Sequence, residues 1–298
     1  MLKGFLQFVE IRTKITSLFS FLLGLAWMFS RGQPIRWDRT AVFFASMFLF
    51  DLTTTAINNY IDTRTNGQAL PFRRGAALTV LLVLFAVSAA LGVALALMTD
   101  VVVFLVGGVC FLCGVFYTWG PLPISRMPLG EIFSGLFYGL LIPFLLLYIN
   151  LPEGTYLALG LSGSTLTLSL HLWPLLQLLL LSAAPACATA NIMLANNICD
   201  LERDVAVKRY TLPYYLGRKG GLRLFALLYY AVYAAGAAML LLRMVSPLYL
   251  LFFLTLIPVQ RNIGRFFSVQ DKGSTFGCSI QNFLIVMAAD VLLVLLSR

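Results

Sequence analysis

Oxygen-bearing side chains recur at matched spacing in two separate segments of this sequence. The segments read AINNYIDTRTNG and LANNICDLERDVAVKRYTLP, and the residues at steps of four are Asn58, Asp62 and Asn66 in the first and Asn196, Asp200 and Asp204 in the second. On a helix, residues four apart lie on one face, so each segment predicts a short ladder of carboxylate and amide oxygens. Such hard oxygen donors are the ligands that Mg²⁺ prefers, with waters and phosphates completing its shell.

Both acidic ladders lie at helix ends where negative charge is unfavourable. Each comes after an apolar run, so its carboxylates lie at the C-terminal end of a helix, where the helix dipole disfavours anions. A bound divalent cation removes this conflict, and Lys208 and Arg209 could hold the remaining charge of a phosphate group. Either segment alone could be a helix end that frays into a solvated loop, whereas two at matched spacing favour a shared site.

A third segment, YTWGPLPISRMPLGE, joins two apolar runs and carries Tyr117, Arg126 and Glu131. Its prolines exclude a regular helix. Ordered non-helical backbone beside a membrane is typical of the rim of a cavity, although a plain connecting turn is the simpler alternative.

The composition requires a membrane setting for these segments. Apolar residues make up 60% of the 298 positions and charged residues only 11%, whereas a soluble domain of this size carries roughly 25% charged residues. Runs long enough to cross a bilayer, about 20 residues each, recur along the whole chain. We place about nine of them, at 15–30, 40–58, 76–97, 101–119, 131–150, 172–197, 222–242, 246–261 and 279–297. The sequence thus predicts an all-α, polytopic transmembrane helical bundle, with 1–298 as a single domain.

The distribution of basic residues predicts which side of the membrane the acidic segments face. Sixteen of the 21 Lys and Arg residues lie in the N-terminus and in the connections near 62–75, 120–130, 198–223 and 261–278. Because cytoplasmic loops carry the excess of Lys and Arg, the N-terminus and the candidate site are predicted to be cytoplasmic, in the cell (inner or plasma) membrane. The net charge of +9 then reflects topology, and no nucleic-acid partner is needed to explain it. The connection 151–171 is predicted to be an external loop.

These segments together resemble the UbiA superfamily of intramembrane aromatic prenyltransferases. That family carries two aspartate-rich motifs, of the kinds NDxxDxxxD and DxxxD, on cytoplasmic loops after its second and sixth spans. This sequence has NNYIDTRTN at 58–66 and DLERD at 200–204, and KRYTLPYYLG and GPLPISRMPLGE resemble further family segments. The segments VEIRTKITS and NNICDLERD are most similar in sequence to the family branch that prenylates 1,4-dihydroxy-2-naphthoate in menaquinone biosynthesis.

The resemblance implies a helical bundle around a central cavity that binds a polyprenyl diphosphate, an aromatic acid acceptor and Mg²⁺ within the lipid bilayer. The catalytic and metal-binding residues that it implies are Asp62, Asp200 and Asp204, with Asn58 and Asn196 as further metal ligands. The substrate-binding residues that it implies are Lys208 and Arg209 for the diphosphate, Tyr60 and Tyr117 for the allylic cation, and Arg126, Arg12 and Lys14 for the carboxylate of the acceptor.

Two positions depart from the family pattern. Asn59 and Asn66 stand where the family has aspartates, so the first motif keeps Asp62 as its only carboxylate. An asparagine can ligate through its carbonyl oxygen but brings no charge, which predicts a weaker first metal subsite. Alternatives remain open: a relative with another acceptor such as 4-hydroxybenzoate, a secondary transporter, in which intramembrane carboxylates are usual, or a membrane scaffold without activity.

Overall fold

The computed structural model describes residues 2–63, 69–119, 124–162 and 164–297. Its elements group into two compact units, one comprising Met1–Leu18 with Arg36–Ser125 and the other Phe19–Ile35 with Arg126–Arg298. The single domain that we expect over 1–298 therefore stays a prediction.

The first unit is built on a long helix that ends at the first acidic motif. In chain order, the helices before Ser125 are α1 (Leu2–Phe8), α2 (Ile15–Ser30), α3 (Trp37–Asp62), α4 (Arg74–Met98) and α5 (Val101–Phe116), with a 3-10 turn at Ile11–Lys14 before α2. From Phe19 onward α2 belongs to the second unit, and the other helices belong to the first. Within this unit a buried apolar core joins α1, α3 and α4, and its members are Phe8, Val9, Leu52, Ala56 and Ala77. This core fixes the end of α3, because Ala56 lies just before the motif.

The second unit holds the second acidic motif. Its further elements are α6 (Gly130–Ser134), a π-helical segment (Gly135–Leu141), α7 (Ile142–Asn150), β1 (Leu157–Ser162), β2 (Thr165–Leu170), α8 (Leu172–Cys199), α9 (Leu201–Ala206), α10 (Leu212–Leu241), a 3-10 helix (Pro247–Thr255), α11 (Leu256–Ser268) and α12 (Gly277–Leu295). Helix α8 packs against α10, α12 and the π-helical segment. At the last of these contacts Gly139 lies against the backbone of Ala186, where a Cβ would approach Ala186 Cα to 2.1 Å.

The all-α, polytopic fold is confirmed, and the number of spans is approximate. Among the described residues, seven helices are long and apolar enough to cross a membrane: Ile11–Ser30, Trp37–Asp62, Arg74–Met98, Gly130–Asn150, Leu172–Cys199, Leu212–Leu241 and Gly277–Leu295. Helix α5, expected as a span at 101–119, is apolar but has only 16 residues. The expected span 246–261 begins as a 3-10 helix that runs into α11. That helix is amphipathic, because its exposed Arg261 and Arg265 lie opposite the buried Val259, Ile263 and Phe266.

Two further stretches differ from expectation. The external loop expected at 151–171 contains an antiparallel hairpin, β1–β2. Helix α10 starts ten residues before the expected span at 222, because Pro213 lies in its first turn, where a proline is tolerated. Gly217 interrupts that helix with φ +68° and ψ 162°, a conformation that only glycine adopts readily.

Candidate functional site

The second acidic motif lies where α8 passes into the short helix α9. Asp200 is the single residue between the two helices. Its backbone N–H donates to the carbonyl of Asn196 (3.0 Å), and the N–H of Asp204 donates to the carbonyl of Asp200 (2.8 Å). These i to i+4 bonds continue across the junction, so the side chains of Asn196, Asp200 and Asp204 follow one another at helical spacing, as the sequence predicts.

Each carboxylate of this motif is close to a cationic side chain. The Nζ of Lys272 donates a hydrogen bond to Oδ2 of Asp200, and the Nε of Arg209 lies 3.7 Å from Oδ1 of Asp204. Asp204 is buried, and burial raises the pKa of its carboxyl above the ordinary value, while nearby Arg209 opposes the rise. Sequence reasoning missed Lys272, because no spacing pattern connects it to the motif.

A tight turn places the predicted phosphate-binding residues beside the acidic ladder. Lys208, two residues after the end of α9, has φ +57°, and the backbone N–H of Arg209 donates back to the carbonyl of Asp204 (2.8 Å). Lys208 is exposed and Arg209 is half-buried. Next along the chain, the N–H of Tyr210 donates to the carbonyl of Arg126 (3.2 Å). The segment that carries Arg126 therefore lies next to the basic turn, and the Arg126 side chain is exposed there.

Glu131 lies in the first turn of α6, and its buried side chain contacts the residue after Asn196 in the second motif. It is 3% exposed, and its Oε1 accepts a hydrogen bond from Nδ2 of Asn197 (2.9 Å). Its Oε2 is buried and has no hydrogen-bond partner among the described residues. Because Asn197 directly follows Asn196 and lies one turn before Asp200, this contact fixes the rotation of α8 at the motif.

The first motif occupies the last turns of α3. Asn58 Oδ1 accepts a hydrogen bond from the hydroxyl of Thr118, which holds the motif against the end of α5. Asn59, at the position of a family aspartate, points elsewhere: its Nδ2 donates to the carbonyl of Phe8 (2.9 Å) and to Oε1 of Glu10 (3.2 Å). Asn59 is therefore a packing residue for the N-terminal helix. Asp62 is half-buried at the end of α3, and Asn66 lies outside the described residues.

The two tyrosines predicted to face an allylic cation both lie in the first unit. The guanidinium of Arg74 lies over the ring of Tyr60, with Cζ 4.9 Å from the ring centroid, so one face of that ring already contacts a cation. Tyr117 follows α5, and its carbonyl accepts a hydrogen bond from the N–H of Ser125 (2.8 Å). Both side chains are half-buried.

Lys14 is buried in an ion pair, in contrast to the acceptor-binding role that the resemblance implies. Its Nζ donates to the carbonyl of Asp51 and to Asp51 Oδ1, each at 2.9 Å, and to the hydroxyl of Thr55. Ser17 donates to the other Asp51 oxygen at 2.6 Å. All three donors of the ammonium group have acceptors in this cluster, so the geometry gives no support to a role in binding an acceptor. Arg12, two residues earlier in the same 3-10 turn, is exposed.

Asp51 is a further residue that sequence reasoning missed. The available signal was a carboxylate in the middle of the apolar stretch MFLFDLTTT, because a charge at that depth requires a partner.

The donor chemistry of the second motif fits a hard divalent cation. Asp200 and Asp204 offer carboxylate oxygens one helical turn apart, and Asn196 adds an amide oxygen one turn earlier. Each carboxylate already lies near a cationic side chain, so a metal would share Asp204 with Arg209 and Asp200 with Lys272, or displace those side chains. Within the described ranges, no group of three or more His, Cys, Asp and Glu side chains is arranged to hold a metal. Substrate phosphates and waters would therefore have to complete the coordination shell.

The fold and this site define a class of protein: a polytopic helical membrane protein with a carboxylate ladder and a basic turn at the end of a spanning helix. The sequence profile of the UbiA prenyltransferase family matches residues 17–274, and the chain belongs to that family. The family resemblance indicated by the two motifs is thereby confirmed.

Relatives and solved structures agree with this assignment. The 1,4-dihydroxy-2-naphthoate octaprenyltransferase of Bacillus subtilis (strain 168) is 30% identical over 157 residues, which cover 52% of this chain and 44% of that protein, so the chain spans less than half the length of that relative. The apo UbiA homolog from Aeropyrum pernix K1 superposes with a TM-score of 0.66 at 17% identity, covering 94% of this chain and 98% of that one. The UbiA homolog from Archaeoglobus fulgidus bound to GPP and Mg²⁺ gives 0.64 at 16%, covering 98% of both chains.

Proposed function

We propose that this protein transfers a polyprenyl group from a polyprenyl diphosphate to an aromatic acceptor in a reaction that requires Mg²⁺. The observation that carries the proposal is the second motif, where two carboxylates one helical turn apart lie beside Arg209 and Lys272. Diphosphate recognition needs both kinds of group, since carboxylates hold the metal and basic side chains bind the remaining phosphate oxygens. The Archaeoglobus fulgidus homolog, which shares this fold, binds GPP and Mg²⁺.

The residues of each motif take separate parts in this proposal. Asp200 and Asp204, assisted by Asn196, supply metal ligands from the second motif, and the first motif adds Asp62 and Asn58. Mg²⁺ supplies positive charge that stabilises the departing diphosphate. Lys208 and Arg209 bind the phosphate oxygens that the metal leaves uncovered. We add Lys272 to this group, because its ammonium already contacts Asp200 and is half-exposed.

The reaction joins a carbon of the acceptor ring to the first carbon of the prenyl chain. The allylic carbon–oxygen bond breaks, and its electron pair leaves with the diphosphate. Ring faces such as that of Tyr117 stabilise the cation that remains and exclude water from it. The ring then donates an electron pair to form the new carbon–carbon bond. When the attacked carbon carries a carboxylate, that group departs as CO₂ and its bonding electrons return to the ring. When it carries a hydrogen, that hydrogen leaves as a proton and its bonding electrons return to the ring.

For the acceptor we propose 1,4-dihydroxy-2-naphthoate, with 4-hydroxybenzoate as the alternative. The choice is supported by the name of the Bacillus subtilis relative, whose match covers 44% of its length. Arg126 is the best candidate to hold the acceptor carboxylate, since its segment is hydrogen-bonded to the basic turn at Tyr210 and its side chain is exposed. Arg12 is a second candidate. The proposed orientation has the N-terminus and both motifs on the cytoplasmic face of the cell membrane.

A secondary transporter is the main alternative of a different class. Among the described residues, two carboxylates lie away from the ends of spanning helices, Asp51 in α3 and Asp290 in α12. Each is hydrogen-bonded inside its own unit, Asp51 to Lys14 and Asp290 to the hydroxyl of Tyr249 (2.6 Å). Transport sites depend on intramembrane carboxylates that exchange partners, so these closed contacts favour the enzyme.

The proposal is tested by incubating the purified protein in lipid nanodiscs with Mg²⁺, prenyl diphosphates of several lengths and a panel of aromatic acids. Lipid products are then identified by mass. We expect a prenylated naphthol that lacks the acceptor carboxylate when 1,4-dihydroxy-2-naphthoate is supplied. A product only with 4-hydroxybenzoate would change the acceptor and keep the enzyme class. Failure with every acceptor by a folded protein that binds the diphosphate would contradict the proposed function.

A further inference from the structure

The β1–β2 hairpin has one apolar face and one polar face. Its register pairs Leu157 with Leu170 and Leu159 with Leu168, and the alternate pairs are Ala158 with Ser169 and Gly160 with Thr167. Because side chains alternate between the two faces of a sheet, the four leucines lie together on one side. We call the four residues Leu157, Leu159, Leu168 and Leu170 the leucine face. The opposite side carries alanine, glycine and hydroxyl side chains.

The leucine face is exposed in the isolated chain. Leu159, Leu168 and Leu170 are 41%, 59% and 53% exposed. The sequence from 157 to 170, LALGLSGSTLTLSL, contains no charged residue. A two-stranded hairpin is only marginally stable in water, and an exposed apolar surface of this kind marks contact with a membrane or a protein.

The base of the hairpin is fixed to helices that span the membrane. Tyr156, just before β1, is 4% exposed, and its ring centroid lies 5.8 Å from that of Phe144 in α7. After β2, the N–H of His171 donates to the carbonyl of Tyr156 (2.9 Å), which closes the loop at the start of α8. The hairpin is therefore held at the ends of α7 and α8. With 28 residues, α8 is about 42 Å long, so the second motif lies at its far end.

The apolar surface continues from the hairpin onto the first turn of α8. There Leu172 and Trp173 are 76% and 49% exposed. Tryptophan is enriched where a spanning helix meets the headgroup region of a bilayer. Since β2 ends at Leu170 and α8 begins at Leu172, the leucine face reaches the same depth as this interfacial tryptophan.

We propose that the leucine face of the hairpin rests in the interfacial region of the lipid bilayer, at the membrane surface opposite the second motif. The apolar side chains contact acyl chains near the headgroups, and the hydroxyls of Thr167 and Ser169 face water. Lipid fits this surface better than a protein partner does, because the face is continuous with the membrane-exposed turn of α8 and carries no charge to select a partner. The hairpin then acts as a surface anchor between α7 and α8.

Adjacent residues on the two faces give a matched test. Leu168→Cys and Thr167→Cys are each labelled with an environment-sensitive NBD thiol reagent in the full chain, reconstituted at one copy per nanodisc. Labelled wild type supplies the background from the native cysteines, Cys110, Cys113, Cys187, Cys199 and Cys278. We expect the label at 168 to show blue-shifted emission that is lost in nanodiscs containing doxyl-labelled lipid, and the label at 167 to show neither effect.

Two outcomes would overturn the lipid contact. One is equal, water-like emission at both positions. The other is shielding at 168 that develops only when two copies share a disc, which would assign the face to a second copy of the chain. Leu159→Cys with Ala158→Cys repeats the comparison on β1, so the test still decides if a label on β2 disturbs the hairpin.

Discussion

Lys272 donates a hydrogen bond from its Nζ to Oδ2 of Asp200, although the two residues lie 72 positions apart in the chain. This contact joins the loop after α11 to the second motif at the end of α8. The side chain of Lys272 is 49% exposed and that of Asp200 is 16% exposed. A partly exposed pair of this kind contributes only about 0–1 kcal/mol, so another cation can replace the ammonium group at little cost.

The first prediction concerns the replacement of the Lys272 ammonium group by a metal ion. If Lys272 and Mg²⁺ compete for the same oxygen of Asp200, Lys272→Met should lower the concentration of divalent cation that half-saturates the site by about two- to fivefold. It should also raise KM for the diphosphate, because one phosphate-binding group is lost. Mn²⁺ binding followed by EPR, beside steady-state kinetics, measures both effects.

Arg218→Met is the matched control for Lys272→Met, since Arg218 pairs with exposed Glu202 in the same region (3.1 Å). It removes one positive charge without touching a proposed ligand, and it should leave cation binding unchanged. Equal effects of the two substitutions would assign the result to net charge and exclude a specific contact of Lys272 with the site.

The second prediction separates the two asparagines that replace family aspartates. Asn59→Asp removes the donor to the Phe8 carbonyl and places a carboxylate beside Glu10, so we expect a loss of about 1–3 kcal/mol in unfolding free energy and no gain in Mg²⁺ affinity. Asn66→Asp should instead lower the Mg²⁺ concentration needed for half-maximal activity, because it adds a charged ligand to the first motif. Thermal unfolding and magnesium titration of both variants decide the matter. A lower magnesium requirement in Asn59→Asp would refute the packing role of Asn59.

The third prediction concerns the buried pair of Lys14 and Asp51, whose side chains are 4% and 5% exposed. Removing one partner leaves a buried charge uncompensated, so Asp51→Asn or Lys14→Met should destabilise the protein by about 3–5 kcal/mol. The double variant Lys14→Met/Asp51→Leu should recover much of that loss, because neither charge remains. Thermal unfolding in detergent gives the stability. A rise in KM for the acceptor in the stable double variant would restore Lys14 as an acceptor-binding residue.

The fourth prediction concerns orientation. Ser274→Cys lies in the loop next to Lys272, and Ser169→Cys lies on the polar face of the hairpin. If the motifs are cytoplasmic, an impermeant thiol reagent added to sealed cells should label position 169 and leave position 274 unlabelled until the cells are permeabilised. The reverse pattern would place the motifs on the outer face and contradict the positive-inside assignment.

Local features of this protein could be predicted from the sequence, and contacts between distant segments could not. The spacing of Asn196, Asp200 and Asp204 fixes their relation on a helix, because side chains four apart share a face whatever surrounds them. The contact of Lys272 with Asp200 depends on how α11 and the loop after it pack in the folded chain, and this packing cannot be predicted from the spacing of residues in the sequence. The hairpin could have been predicted, because the sequence places Gly163 and Ser164, a pair that favours a two-residue hairpin turn, between two runs in which leucine alternates with small or hydroxyl residues.

The expected span at 246–261 shows what a hydropathy average does not reveal about a helix. Hydropathy identified its apolar part, but α11 continues past the expected end to Ser268, with Arg261 and Arg265 exposed on the side opposite the buried Val259, Ile263 and Phe266. A hydropathy average over a window does not separate the exposed side of a helix from its buried side, whereas the 3.6-residue periodicity does. Lys14 was assigned from its place at the start of the first span, and the carboxylate that binds it lies in another helix, α3.

The central claim is that the second motif activates a prenyl diphosphate, and turnover by isosteric variants tests it most directly. Product formation from polyprenyl diphosphate and 1,4-dihydroxy-2-naphthoate is measured by mass for wild type, Asp200→Asn, Asp204→Asn and Glu202→Gln. Glu202 is the control, because it lies between the two aspartates in sequence and its side chain is 88% exposed. We predict a loss of about 100-fold or more for each aspartate variant and wild-type turnover for Glu202→Gln. Wild-type turnover by folded Asp200→Asn and Asp204→Asn would contradict the account.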